Sequence, residues 1–173
     1  MVNLNASSQD VYTFSKKPPP HKIDMLKKNS VTLKNPERVD CLNQMSEVYL
    51  TSLVRDADTA KIYADRALEE AEKINYTWGM AHAHKNLGRI ESILVRDLRS
   101  AEKYFSMALS LFSRTGDDQQ IALAWANLGY AKWVLCKFPE AMEAYKKAVG
   151  FFEQKGDTGN LATTYEFISF NEI

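Results

Sequence analysis

If this chain performs chemistry, the groups able to do it are few. It has three histidines and two cysteines, with carboxylates spread along its length. His82 and His84 lie two apart in a stretch of helical period, so they face different directions and cannot share an ion as a pair four apart can. Cys41 and Cys136 have no CxxC or Cys/His spacing and read as reduced, partly buried thiols. Glu69, Glu70 and Glu72 read as a solvated acidic helix face. A glycine-rich phosphate loop, a nucleophile elbow and a Ser/His/Asp set are all missing from the sequence. The chain is therefore not expected to be an enzyme, and no metal or cofactor is called for. Binding is the better expectation.

Charge narrows the partner. Lys plus Arg and Asp plus Glu both number 22, and that balance recommends neither nucleic acid nor an anionic membrane. With 173 residues, 45% of them apolar, the chain can bury a sizeable core. No run approaches the ~18 apolar residues of a membrane span, and the first twenty residues lack the apolar centre of a secretory signal. A cytoplasmic location follows if no leader has been removed.

The elements that must position a binding surface are repeated. Ala60 and Ala67, Ala101 and Ala108, and Ala141 and Ala148 form three pairs of equal spacing, offset by 41 and then 40 residues. Asn86–Leu87–Gly88 returns 41 later as Asn127–Leu128–Gly129, and Phe105 returns 40 later as Tyr145. Asn75, Gly116 and Gly156 punctuate the units, as residues that adopt positive φ cheaply just past a helix. Asp117 with Gln120 reads as a helix cap, and Asn35–Pro36–Glu37 as a helix start. The period predicts helices near 36–53, 57–74, 77–95, 98–115, 118–135, 139–155 and 158–173, with consecutive helices antiparallel. Residues 1–22 read as a flexible leader, with a plain solvated Pro18–Pro20 run flanked by lysines, and 23–35 as a loosely structured lead-in. Repeats fall at about 36–75, 76–116 and 117–156, and 157–173 is a half repeat or cap. The final stretch reads as an incomplete unit rather than a cap. Gly88 and Gly129, costly in mid-helix, imply that a partner helix crosses there too closely for a side chain, with Phe105 and Tyr145 filling the space between hairpins.

The pattern Trp125-x-x-Leu128-Gly129, then Phe138-Pro139-Glu140-Ala141, Tyr145 and Ala148, resembles the tetratricopeptide repeat. Lys132 and Cys136 depart from it, where the family usually has an aromatic residue and a glycine. The unit before it has His84 for the tryptophan and one extra residue between Gly88 and Ala101. The resemblance covers roughly 36–173. It implies an all-α fold, a right-handed α-solenoid of three antiparallel helical hairpins plus a final helix. The ~40-residue period is similar to the longer-helix subclass found in sensory and scaffold regions of bacterial signalling proteins.

In that family the first helix of each hairpin lines a concave groove. Carried onto this chain, the lining is His82, Lys85, Asn86, Arg89 and Ser92, then Leu123, Ala126, Asn127, Tyr130 and Trp133, then Thr163, Glu166, Phe167 and Phe170. Such a surface, basic and polar at one end and aromatic at the other, suits a protein or peptide with an acidic and an apolar anchor. Equally, Tyr130, Trp133 and Phe170 are residues that pack between neighbouring helices. The carboxylate clamp of chaperone-tail-binding relatives is not matched. Lys85 and Asn127 fit two of its slots, but Arg89, Thr163 and Phe167 depart from it. The leading expectation is a protein- or peptide-binding scaffold. The alternative is an input or dimerisation domain of a larger signalling protein (sensor kinase, nucleotide cyclase or transcription regulator), with a possible homodimer.

Overall fold

Helices account for all the regular structure of the described residues, 20–51 and 56–169, in this computed structural model. In chain order they are α1 (Pro20–Thr32), α2 (Glu37–Thr51), α3 (Ala57–Lys73), α4 (Thr77–Ile90), α5 (Leu98–Thr115), α6 (Asp118–Val134), α7 (Phe138–Lys155) and α8 (Thr158–Ser169). Residues 1–19, 52–55 and 170–173, including Phe170 and most of the expected leader, lie outside the described part. Each helix packs against the next along the chain, and α2 also packs against α4. The fold is an α-solenoid of hairpins α2/α3, α4/α5 and α6/α7 followed by α8.

Aspartates start four of these helices. Asp56, Asp97, Asp117 and Asp157 each accept a hydrogen bond from the backbone N–H three residues on, at 2.9–3.2 Å. This satisfies a donor that the first turn cannot pair internally. The expected punctuation also forms, with Asn75, Gly116 and Gly156 at φ of 53°, 72° and 66°.

The stretch 23–35, read as loosely structured, instead holds most of helix α1. Its apolar residues are sparse, and a helix this short depends on tertiary packing. Leu26 supplies it, buried against Cys41, Met45 and Val48 of α2, while the Cys41 thiol donates to the Leu26 carbonyl at 3.3 Å. Cys136, by contrast, is exposed.

All six repeat alanines have no exposed surface. The mid-helix glycines face side chains rather than a crossing backbone. A Cβ on Gly88 would lie 2.6 Å from the Phe105 ring, and one on Gly129 would lie 2.8 Å from the Tyr145 ring. Each ring thus lies flush on a glycine of its own hairpin. Phe105 also reaches Leu128 and Ala131 of the next hairpin, so it joins units as well. The extra residue between Gly88 and Ala101 is absorbed as a single π turn, Glu91–Val95, at the end of α4. Glu91 in that turn is tied back to α3 by Lys61 Nζ at 2.7 Å.

A second series of residues is left-handed. Arg96 and Cys136 stand 40 apart at the inner turns, with φ of 63° and 59°. A non-glycine residue there carries a penalty of ~1–2 kcal/mol. After allowance for the freedom glycine loses on folding, Arg96→Gly and Cys136→Gly should each stabilise the chain by ~0.5–1 kcal/mol. The double variant should raise Tm by roughly 2–8 °C in a scanning calorimeter.

Candidate functional site

α4 carries the cationic and polar stripe, and α2 lies over it. Arg89 Nη1 meets Glu47 Oε1 at 3.0 Å, with 11% of the arginine side chain and 39% of the glutamate exposed. Asn86 donates from Nδ2 to the Asn43 carbonyl, and Asn43 donates from its own Nδ2 to the Gly79 carbonyl, both at 3.0 Å. Both amide orientations are set by these bonds, and each Oδ1 is left buried without a donor, as is the Ser46 hydroxyl. Gly79 permits the close approach, since a Cβ there would lie 2.5 Å from Val39 Cγ1 of α2. Lys85 is buried on the same helix. The stripe read as groove lining is therefore the floor of a polar seam between the first helices of two units. Asn43, Ser46 and Glu47, three and four apart on α2, were the sequence signal for it.

His82 packs elsewhere. Its ring lies 4.7 Å from that of Trp78 and 5.1 Å from that of Phe112 on α5, inside the hairpin. One turn separates residues 78 and 82, which puts both on the face that α5 covers. His84 stacks on Tyr104 with centroids 6.0 Å apart. Neither His82 Nε2 nor His84 Nδ1 finds a hydrogen-bond partner.

α6 carries the apolar stripe. Leu123 is core, clustered with Ala126, Ala148 and Phe152. Asn127 turns inward and donates to the Leu123 carbonyl at 2.8 Å, a local bond within its helix. Tyr130 and Trp133 meet Phe167 of α8, with ring centroids 5.7 and 6.1 Å apart. Tyr145 of α7 stacks on the same phenyl ring at 5.7 Å, nearly parallel. The structure thus brings Lys85, Asn86 and Arg89 together on α4, and Tyr130, Trp133 and Phe167 together between α6 and α8.

Other features add little chemistry. Among the described residues no group of three His, Cys, Asp or Glu side chains is placed to hold a metal ion. A cleft of about 630 Å³ opens beside Asp117, Asp118, Phe151 and Lys155. Its charges are already engaged, because Asp117 caps α6 and Asp118 pairs with Lys155 at 3.2 Å. Lys132, at a position where an aromatic residue is usual, reaches Glu102 of α5 at 3.3 Å and shares it with Lys137 at 2.7 Å. No helix among the described residues is long and apolar enough to cross a membrane.

No protein-family model matches the chain, and no curated protein does. Solved structures do. Aspartyl phosphate phosphatase F from Bacillus subtilis superposes with a TM-score of 0.70 at 18% identity, over 84% of this chain and 41% of that one. BtubC from P. vanneervenii superposes with a TM-score of 0.65, also at 18% identity, over 87% of this chain and 65% of that one. The fold is a helical repeat. At this identity the likeness is one of fold, and the chain spans less than two thirds of either structure.

Burial holds both α4 histidines neutral. It pushes the His82 pKa well below the usual value, helped by the nearby Lys85 ammonium, and it lowers that of His84 against a small opposing pull from Glu72. A depressed histidine pKa stabilises the fold above the unfolded value of about 6.5, and that contribution is lost as pH falls through the window beneath it. Tm should therefore drop between about pH 7.5 and pH 5, and His82→Leu with His84→Leu should flatten the drop. An unchanged slope in the double variant would assign the pH dependence to other groups.

Proposed function

We propose that this chain is a non-catalytic scaffold of the tetratricopeptide-repeat kind that binds a protein or peptide along its first helices. The ~40-residue period and the residue pattern of 117–156 support that family, in its longer-helix form. The observation that carries the binding reading is the chemistry already resting on the two stripes. A carboxylate, Glu47, lies on Arg89, and a phenyl ring, Phe167, lies among Tyr130 and Trp133. The stripes accept an acidic group at one end and an aromatic group at the other, which are typical anchors of a recognised peptide. The zero formal charge recommends no polyanionic partner.

The phosphatase activity in the name of the first structural neighbour is not carried over, because 18% identity conveys fold alone. An input or dimerisation domain of a larger signalling protein is the second reading. It predicts self-association of the purified chain in light scattering.

Lys85→Ala with Arg89→Ala tests the scaffold directly. Both side chains are largely buried in the α2–α4 seam, so the double variant should lose ~1–3 kcal/mol of stability while keeping its helical circular dichroism, which is measured alongside. In a pull-down from the source cells, proteins retained by the parent chain should be lost from the double variant. Identical retention by both would sink the groove assignment.

A further inference from the structure

The last helix differs from those before it. α2 to α7 each bury apolar residues, whereas the fully buried residues of α8 are Asn160 and Thr164, both polar. Among the described residues, the apolar side chains of α8 that face the stack are only half-buried, so it can leave the stack at lower cost than its neighbours. Its main apolar contacts are Leu161, against the Phe152 cluster, and Phe167.

Phe167 also breaks the repeat. It stands 40 residues after Asn127 and 81 after Asn86, in the same register. The two asparagines donate to backbone carbonyls. A phenyl ring cannot, and it enters a box whose three walls meet it at different angles. Tyr130 approaches at 67°, Trp133 at 59° and Tyr145 at 6°. The hydroxyl of Tyr145, a residue with 1% of its surface exposed, has no hydrogen-bond partner. The Tyr145 hydroxyl is therefore a buried polar group that no phenyl ring can satisfy.

We propose that Tyr130, Trp133 and Tyr145 form a receptor for an aromatic side chain of a partner protein, that Phe167 occupies it in cis, and that α8 is a plug the partner displaces. This deepens the scaffold reading and rests on it. The partner presents a ring in extended or helical sequence, and a ring bearing a hydrogen-bonding group can meet the Tyr145 hydroxyl as Phe167 cannot.

The probe is a dye-labelled peptide copying residues 158–169, TGNLATTYEFIS, with fluorescence anisotropy as the readout. Phe167→Ala empties the box and removes the cis competitor. The variant should remain helical and bind the peptide at least ~10-fold more tightly than the parent chain, whose box is open only a fraction of the time. A peptide with alanine in place of its phenylalanine should not bind. Equal affinity of the two chains, or binding of the alanine peptide, would overturn the plug. Loss of the helical signal in Phe167→Ala would overturn it too, since Phe167 would then be a core residue. A parent chain that sediments as a dimer, with α8 exchanged between copies, would place the plug in trans and also overturn it. The readout uses no external partner, so failure here leaves the Lys85/Arg89 result standing and the two readings separable.

Discussion

An aromatic ring lying on a mid-helix glycine sets the geometry of this molecule. Phe105 on Gly88 and Tyr145 on Gly129 repeat the contact one unit apart, and neither glycine has room for a methyl group. The rings bring α4 onto α5 and α6 onto α7, and the buried alanines beside them hold the same close spacing. A mid-helix glycine costs ~0.5–1 kcal/mol in propensity. A buried aromatic ring returns more than that through apolar burial alone. The hairpin therefore forms because of the glycine rather than despite it.

With the hairpins set internally, the seams between units are free to vary, and they do. The α2–α4 seam is polar and holds asparagine side chains on backbone carbonyls, with Glu47 on Arg89. Between α6 and α8 the seam is aromatic. Polar buried networks fix one arrangement when satisfied and are costly when they are not. The donor-less Asn43 and Asn86 oxygens mark the first seam as only partly satisfied. Variation confined to the first helices, over a constant hairpin frame, is how a repeat fold acquires a binding surface without losing its core. Both proposed anchor regions lie where that variation is concentrated.

Much of this architecture was legible in the sequence because it is local. Alanine spacing, the Asp117 cap and the positive-φ sites at Asn75, Gly116 and Gly156 follow from backbone chemistry that each residue carries with it. The extra residue before Ala101 was visible too, but its fate as a π turn was not. Helix α1 was unreadable because Leu26 gains its stability from α2 and little from its own period. Arg96 was missed because arginine does not advertise a left-handed turn, whereas at Cys136 the glycine usual in the resembled repeat was the signal. The candidate site was legible as a set of residues but not as an arrangement. Periodicity placed His82 and Lys85 by register, while the packing of Trp78 and Phe112 decided where His82 went. Phe167 was named as groove lining, and its position among three rings came only with the fold.

The glycines exist for the rings. A double-mutant cycle between Gly129→Ala and Tyr145→Leu, read as unfolding free energy in urea, measures that dependence. In the parent chain the new methyl group should cost ~1–3 kcal/mol by overpacking. In the Tyr145→Leu background the same change should cost far less, or stabilise the helix by up to ~1 kcal/mol. That outcome corresponds to a coupling above ~1 kcal/mol. Costs that add to within ~0.5 kcal/mol would show that Gly129 and Tyr145 act independently and that the ring does not require the glycine.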